Sequence, residues 1–600
     1  MSSRIVSRRD LEFQLFEVLD VESLRERGRF AQHSRETILA AVDTALSIAE
    51  EKFAPHNRKA DEHEPTFQDG RVRLIPEVKE ALEAYIAAGF LAAGDDYEQG
   101  GMQLPTTVRA ACQAIFAAAN VSTTAYVSLT AGNAALLATF ASPEQKERYL
   151  KHLRSGRFFG TMALTEPQAG SSLSDILTTA TPNPDGRSYS LRGTKIFISA
   201  GDHDLAENIV HLVLAKIPGS PPGVKGISLF IVPKYRVNPD GSLGPQNDVT
   251  LAGLFHKMGY RGTVSTQLSF GERGECRAEL VGQPNQGLTC MFHMMNGARI
   301  SVGVGAVMIG YTSYLHALEY ARDRPQGRPL SARDPRTPQV PIVQHADVRR
   351  MLLASKSYVE GGLALCLYAA RLHDESETAQ SPDARRDAEA LLSLLTPVAK
   401  AWPSQYCLQA SDLAIQVHGG YGYTREYPVE QFYRDNRLNP IHEGTNGIQA
   451  LDLLGRKALG GGGAALGLLM RAIWADVEAA GREESLRHFG DELGQAAERL
   501  IATTRRLGEA AMSDVERALA NASVYLEAMG HVVVAWMWLR QALSATRALG
   551  RASGADADFY RGKLAACRYF FRWELPRVGP MLALLDSLDS TCLEADPAWL

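Results

Sequence analysis

Phe158-Phe159-Gly160-Thr161-Met162-Ala163-Leu164, running on into Thr165-Glu166-Pro167-Gln168-Ala169-Gly170-Ser171-Ser172, is the stretch on which the fold turns. Upstream the chain reads helical. Glu36 to Phe53 and Val78 to Phe90 repeat apolar residues at three- and four-residue spacing, and Val108 to Phe140 is a longer run rich in Ala, Ser, Thr and Gly. At Phe158 that period gives way to a strand, and Pro167 and Gly170 then force an irregular loop. Its backbone N–H groups, with the Thr165 and Ser171 hydroxyls, can contact an oxygen- and nitrogen-rich ligand. Taken alone, the octapeptide reads more simply as an ordinary β-turn.

Four more strand-like segments follow: Ser188 to Ser199, Asn208 to Ile217, Gly226 to Val232 and Thr263 to Phe270. The turn signals Asn183-Pro184-Asp185-Gly186 and Asn238-Pro239-Asp240-Gly241 punctuate them. This predicts a β domain over 158–284, after an N-terminal extension (1–40) and a helical domain (41–157). From Leu288 the helical period returns, giving a helical domain over 285–457 whose first helix carries Arg299 among glycines and alanines. Ile342 to His373 and Asp383 to His418 are its later helices, and Pro325 to Pro341 reads as a loop. The tract Gly460-Gly461-Gly462-Gly463 reads as a flexible boundary before an extra helical domain at 464–600. The expected fold class is α+β multidomain.

Six hundred residues exceed what one core serves, and 45% hydrophobic with 22% charged residues is ordinary globular composition. A net charge of -5 opposes a phosphate-binding surface. Arg4, Arg8 and Arg9 are not followed by a signal-type apolar core. The longest aliphatic and aromatic run, Val532 to Leu539, is too short to span a bilayer, so no integral membrane segment is expected. Seven scattered cysteines without a CxxC pair predict reduced thiols in a cytoplasmic protein, with no metal site.

Two further motifs carry chemistry. In Lys195-Ile196-Phe197-Ile198-Ser199, a two-residue period puts Phe197 and Ser199 on one sheet face, suited to flank a planar ring; a core Phe beside a half-exposed Ser is the competing reading. In Asn439-Pro440-Ile441-His442-Glu443-Gly444-Thr445-Asn446-Gly447-Ile448-Gln449, one carboxylate stands directly before a glycine. Such a group, beside a flexible Gly, can reach into a pocket as a proton acceptor, or it marks a helix end.

These pieces, in this order, resemble the acyl-CoA dehydrogenase family from about residue 40 to 455. Thr165-Glu166-Pro167 with Ala169-Gly170-Ser171, Lys195 to Ser199, and Met258-Gly259 carry the resemblance, followed by Arg299 and Tyr320-Ala321-Arg322-Asp323-Arg324. Gln416-Val417-His418-Gly419-Gly420-Tyr421-Gly422, Tyr427-Pro428-Val429-Glu430, Arg434-Asp435 and Glu443-Gly444-Thr445 complete it. The resemblance implies an N-terminal helical domain, a central β-barrel-like domain and a C-terminal four-helix bundle, with FAD as cofactor. It places Thr165, Phe197 and Ser199 at the isoalloxazine ring and Ser171 near the flavin diphosphate or the CoA arm. Arg324, Gln416 and Gly420 would serve the ADP half of FAD, partly in the neighbouring subunit, and Thr445 would also contact FAD. Arg299 and Gly444 would meet the substrate. Some members carry the base immediately before the arginine; here that residue is Ala298, so the role falls on Glu443. Glu443 would take the α-proton of an acyl-CoA, with the β-hydride passing to flavin N5. Two departures stand out: Pro325-Gln326-Gly327-Arg328 stands in place of a common Gln-Phe-Gly, so the aromatic contact to adenine is either missing or replaced, and Gly447 stands where many members have Gln.

The opening Arg9-Asp10-Leu11-Glu12-Phe13 and the final block resemble the larger bacterial branch, which includes fatty acyl-CoA dehydrogenases and 3-methylmercaptopropionyl-CoA dehydrogenase. The resemblance implies an acyl-CoA substrate, electron-transfer flavoprotein as electron acceptor, and a homodimer or dimer of dimers. Small residues such as Ala110, Ala111, Ala114 and Ala117-Ala118-Ala119 leave room for a medium or long straight acyl chain, or serve helix contact. The thioether substrate is the alternative, as is acyl-CoA oxidase activity. A nucleic-acid-associated flavoprotein of the alkylation response is another relative, but residues 464–600 hold 15 Lys and Arg against 18 Asp and Glu, which opposes binding of phosphates.

Overall fold

The computed structural model describes residues 4–600, the side chains of 293–296 excepted. The chain forms two compact units, one of Leu39–Leu104 and Ile115–Ser301, the other of the N-terminal residues through Ile38 with Pro105–Ala114 and Val302–Leu600.

The first unit is built on an eight-stranded sheet. Its strands are β1 (Phe158–Ala163), β2 (Thr179–Pro182), β3 (Tyr189–Ser199), β4 (Asn208–Lys216), β5 (Ile227–Pro233), β6 (Val249–Leu254), β7 (Ser265–Phe270) and β8 (Arg277–Val281). The order is β6-β7-β3-β8-β5-β4-β1, and β2 pairs with both β3 and β4. Strands β3, β8, β5, β4 and β2 therefore close a ring, the barrel-like core, while β1 pairs in parallel with the first part of β4, on the same edge that β2 meets at Lys216. The length of β3 makes this possible: its first half pairs with β2 and β8, its second with β7.

Strands β4 and β5 are nearly unbroken apolar runs because both their faces are covered. Leu212, Leu214, Leu229 and Ile231 pack with Leu136, Leu137 and Tyr149 on one side; Val213, Ala215, Phe230 and Val232 pack with Leu191 and Ile198 on the other. Strands β2 and β8 are short and partly polar, β6 is interrupted by Ala252 and Gly253, and in all three only the ladder gives the strand away. Thr106–Phe140 is not the single run its composition suggests. It breaks at buried Asn120 (φ -164°, ψ 93°), whose side-chain oxygen accepts from Thr123 N at 3.0 Å and so caps the second half.

In the second unit, Ala346–Thr378 and Pro382–His418 pack with the later part of Gly287–Asp323. Close approach accounts for the glycines there: a Cβ on Gly303 would lie 2.0 Å from the Ala399 carbonyl oxygen, and one on Gly310 2.7 Å from that of Cys407. The C-terminal block docks in the same way, Gly361 facing Trp538 and Gly530 facing Trp402. The N-terminal segment is tied in by a buried polar network. Asp10 pairs with Lys563 and accepts from the Tyr311 hydroxyl at 2.9 Å, and Lys563 reaches Glu360 at 2.8 Å.

All seven cysteines are free thiols, six of them buried. Among the described residues three helices, Thr106–Phe140, Gly287–Asp323 and Ala522–Leu549, are long and apolar enough to cross a membrane by length and composition. Small residues interrupt the large apolar ones in them, so no long aliphatic and aromatic run marks them. Of their most apolar stretches, 78%, 78% and 83% are covered within the protein, so packing accounts for their apolarity.

Candidate active site

In the first unit, the loop after β1 is held from beneath by a buried ion pair. Pro167 and Gln168 make a tight turn in which Glu166 and Ala169 exchange backbone hydrogen bonds of 2.9 and 3.1 Å. The turn the octapeptide suggested is therefore real, but its first residue faces inward. The Glu166 carboxylate accepts from Lys195 Nζ at 2.8 Å, Leu177 N at 2.6 Å, Thr178 N at 3.1 Å and Thr178 Oγ1 at 2.5 Å. Burial works to raise this carboxyl, but the Lys195 charge and the hydrogen bonds outweigh it and hold it at about 2. Lys195 Nζ also donates to Leu164 O at 2.9 Å, and Ile196 N donates to Thr165 O at 3.0 Å. Thr165 is thus clamped on both sides and set beside β3. Ser171 lies beyond the clamp and is exposed.

The two-residue period holds from Phe197 to Ser199 but breaks one step earlier, between Lys195 and Phe197. Pairing slips between Thr266↔Ile198 and Leu268↔Lys195, so Ile196 and Phe197 bulge from β3 opposite Gln267. Phe197 takes φ +56°, an outlier for a bulky side chain, and is 58% exposed. Ser199 stays in the ladder opposite Ser265, with Ile198 buried between them. The Phe197 ring lies against Phe255, centroids 4.5 Å apart at 38°. Phe255, whose N–H bonds Ser265 O of β7, was not singled out from the sequence, where nothing marks its ring contact with Phe197. An exposed aromatic held in a strained backbone beside a second ring is a platform for a planar aromatic group.

In the second unit, Glu443 follows Val429–Asn436 on a closed loop, with Asn446 N donating to Pro440 O at 3.0 Å. Thr445 caps Asn446–Leu451, its hydroxyl oxygen accepting from Ile448 N at 3.3 Å. Glu443 and Gly444 are both left-handed, at φ +54° and +85°. Gly444 is not loose, as its type suggested. Buried Gln449 donates from Nε2 to Glu443 O at 3.1 Å and Gly444 O at 3.3 Å, and a Cβ on Gly444 would lie 2.6 Å from that nitrogen. Buried Lys400 donates to Asn446 Oδ1 at 3.2 Å. Burial lowers the His442 imidazole to about 4 against its bond to Leu438 O, and the Lys400 charge pushes the same way, so this ring is neutral at pH 7.

A cavity of about 510 Å³ in the same unit is lined by Tyr320, Arg324, Gln326, His418, Gly420 and Tyr421. It brings Arg324 and Gly420 together; Gln416 is exposed nearby on the last turn of Pro382–His418. Tyr320 stacks on His418 with centroids 4.3 Å apart, and the Arg324 guanidinium lies 5.7 Å from the centre of the Tyr421 ring. The Tyr421 ring at this cavity is 49% exposed. Arg299 is buried, and Ala298 precedes it. Among the described residues no cluster of His, Cys, Asp or Glu is placed to hold a metal ion.

A strand barrel bearing an aromatic platform, in a chain that also carries a carboxylate on a fixed turn, is the build of a flavoprotein oxidoreductase. Comparison with known proteins narrows the class. Models of the acyl-CoA dehydrogenase N-terminal, middle and C-terminal domains match residues 35–157, 161–272 and 285–459, and an acetyl-CoA dehydrogenase C-terminal-like model matches 469–596. The chain is 37% identical to 3-methylmercaptopropionyl-CoA dehydrogenase of Ruegeria pomeroyi over 94% of each chain. It is 34% identical to the broad-specificity linear acyl-CoA dehydrogenase FadE5 of Mycobacterium tuberculosis over 98% of each, and 33% identical to a butyryl-CoA dehydrogenase of Syntrophomonas wolfei over 98% of this chain and 97% of that one. The fold is shared with an acyl-CoA dehydrogenase from Bacillus anthracis solved with FAD, at TM-score 0.72 and 21% identity over 94% of this chain and 93% of that one. The chain belongs to the acyl-CoA dehydrogenase family. It is an oxidoreductase, and its cofactor is FAD.

Proposed function

We propose that the protein dehydrogenates an unbranched medium- to long-chain acyl-CoA to the trans-2-enoyl-CoA, with Glu443 as the base. The observation that carries this is the Glu443-Gly444 turn, whose two left-handed residues are held through their carbonyls by one buried side chain. An α-proton next to a thioester is weakly acidic, so its acceptor must be aimed before substrate arrives. Breaking the Cα–H bond delivers the proton to the Glu443 carboxylate; its electron pair becomes the new Cα–Cβ π bond as hydride leaves Cβ. FAD, when bound, supplies the acceptor for that hydride. Thr165, Phe197 and Ser199 fit the isoalloxazine ring, since Thr165 is clamped beside the bulge and Phe197 offers an open face. Ser171 would serve the diphosphate or CoA arm, Arg324, Gln416, Gly420 and Thr445 the rest of FAD, and Arg299 and Gly444 the thioester.

The unbranched chain is supported by the three relatives named above, two of them named for short acyl groups and one for linear acyl groups broadly. The alanines from Ala110 to Ala119 are buried against protein, so helix packing uses them and they lend no weight to a deep acyl channel. 3-Methylmercaptopropionyl-CoA is the second reading, favoured by the 37% relative. Electron-transfer flavoprotein as acceptor, a homodimer and a cytoplasmic location belong to the same proposal. Turnover on butyryl-, octanoyl-, palmitoyl-, isobutyryl- and 3-methylmercaptopropionyl-CoA tests it: a maximum on octanoyl or palmitoyl is expected, and a maximum on the thioether or branched substrate would overturn the fatty-acyl reading. Glu443→Gln should keep FAD and bind acyl-CoA yet lose nearly all turnover; near-normal turnover would refute the base assignment.

A further inference from the structure

We infer that Gln449 is a positioning residue for the reaction, holding the backbone of Glu443 so that its carboxylate is aimed before substrate binds. This rests on reading Glu443 as the base. A non-glycine residue at φ +54° persists only where its surroundings over-determine it. The ends of the loop are secured independently of Gln449: Asn446 N bonds Pro440 O, Thr445 caps the helix, and Lys400 holds Asn446. Between those anchors, the carbonyl of Glu443 accepts from Gln449 Nε2 at 3.1 Å and that of Gly444 from the same nitrogen at 3.3 Å.

One NH₂ group therefore fixes both peptide planes that follow the Glu443 Cα, and with them the direction in which its side chain leaves the loop. Gln449 is fully buried at the start of Asn446–Leu451, and its own N–H is spent on Thr445 O, so only the side chain can do this. Two carbonyls that share one partner demand a donor there. A carboxylate at 449 would face two carbonyl acceptors and add a negative charge near the base, and an apolar residue would leave both carbonyls without this donor. The Gly444 contact points the same way, because a Cβ there would sit 2.6 Å from Nε2 and push the clamp off.

The test uses full-length, FAD-loaded Gln449→Met and Gln449→Glu with octanoyl-CoA and its α-deuterated form, beside Glu443→Gln. Both Gln449 variants are expected to lose about tenfold to a hundredfold in kcat. KM should stay within about threefold, FAD per chain should be unchanged, and the α-deuterium isotope effect should rise as proton removal becomes limiting. If kcat per bound flavin stays within about twofold of wild type, the inference is wrong, whether or not FAD content or Tm falls; the residue is then structural only. Either variant that loads FAD decides the matter. Normal turnover by Glu443→Gln would remove the base assignment and this inference with it. An inactive Glu443→Gln beside fully active Gln449 variants would remove only the inference.

Discussion

Replacing Lys195 with Met should loosen the loop after β1 and weaken the barrel unit together. In the wild type the Glu166 carboxyl is buried and held at about 2 against an ordinary 4.5, burial opposing and the Lys195 charge leading the effects that win. A shift of that size corresponds to about 3 kcal/mol of pH-dependent stability. The folded-state value is depressed, so this stabilisation is fully present above pH 4.5 and is lost as pH falls towards 2. Lys195→Met keeps the volume but leaves Glu166 buried beside four remaining donors, Gln168 Nε2, Leu177 N, Thr178 N and Thr178 Oγ1, and no cation, which costs about 3–5 kcal/mol. For a unit of this size that is a fall of roughly 6–15 °C in its transition. The clamp on Leu164 O goes at the same time, so FAD should dissociate more readily. The double variant Lys195→Met/Glu166→Gln should recover much of the stability, since a neutral amide carries no uncompensated charge. Calorimetry between pH 3 and 8, with FAD content by absorbance, reads each effect. A single variant melting within about 2 °C of wild type at pH 7 would refute the idea that this pair carries the loop.

Phe197→Gly separates strain from function: relief of the left-handed backbone should offset much of the roughly 1–3 kcal/mol stored there, so apoprotein stability changes little while FAD affinity drops, measurable by flavin fluorescence titration. Tyr421→Ala should weaken FAD or free ADP binding by about 1–3 kcal/mol, the value of one base–aromatic stack, whereas Tyr421→Phe should bind nearly as wild type; equal affinities for all three would remove Tyr421 from the cofactor site.

Much of this protein was legible in order and spacing. The helical–β–helical succession, the five principal strands and the Glu443-Gly444 turn all follow from period and from the chemistry of Pro, Gly and carboxylate. Ala298, a methyl where some relatives place a carboxylate, needs no structure to exclude it as a base. Local chemistry of this kind is carried by neighbours along the chain, so the chain alone determines it.

What only the tertiary structure decided depends on residues far apart in sequence. The bulge that turns Phe197 outward exists because β7 pairs with β3 one residue out of step, and no two-residue alternation within 195–199 could announce that. Lys195 meets Glu166 across 29 positions, and Tyr421 meets Arg324 across nearly a hundred. Gln449 holds Glu443 because a six-residue helix folds back on the turn before it, converting a glycine that looked loose into one with no room for a Cβ. Sequence named the acid and the platform; packing decided which way each one points, because direction is set by the contacts that fix a peptide plane.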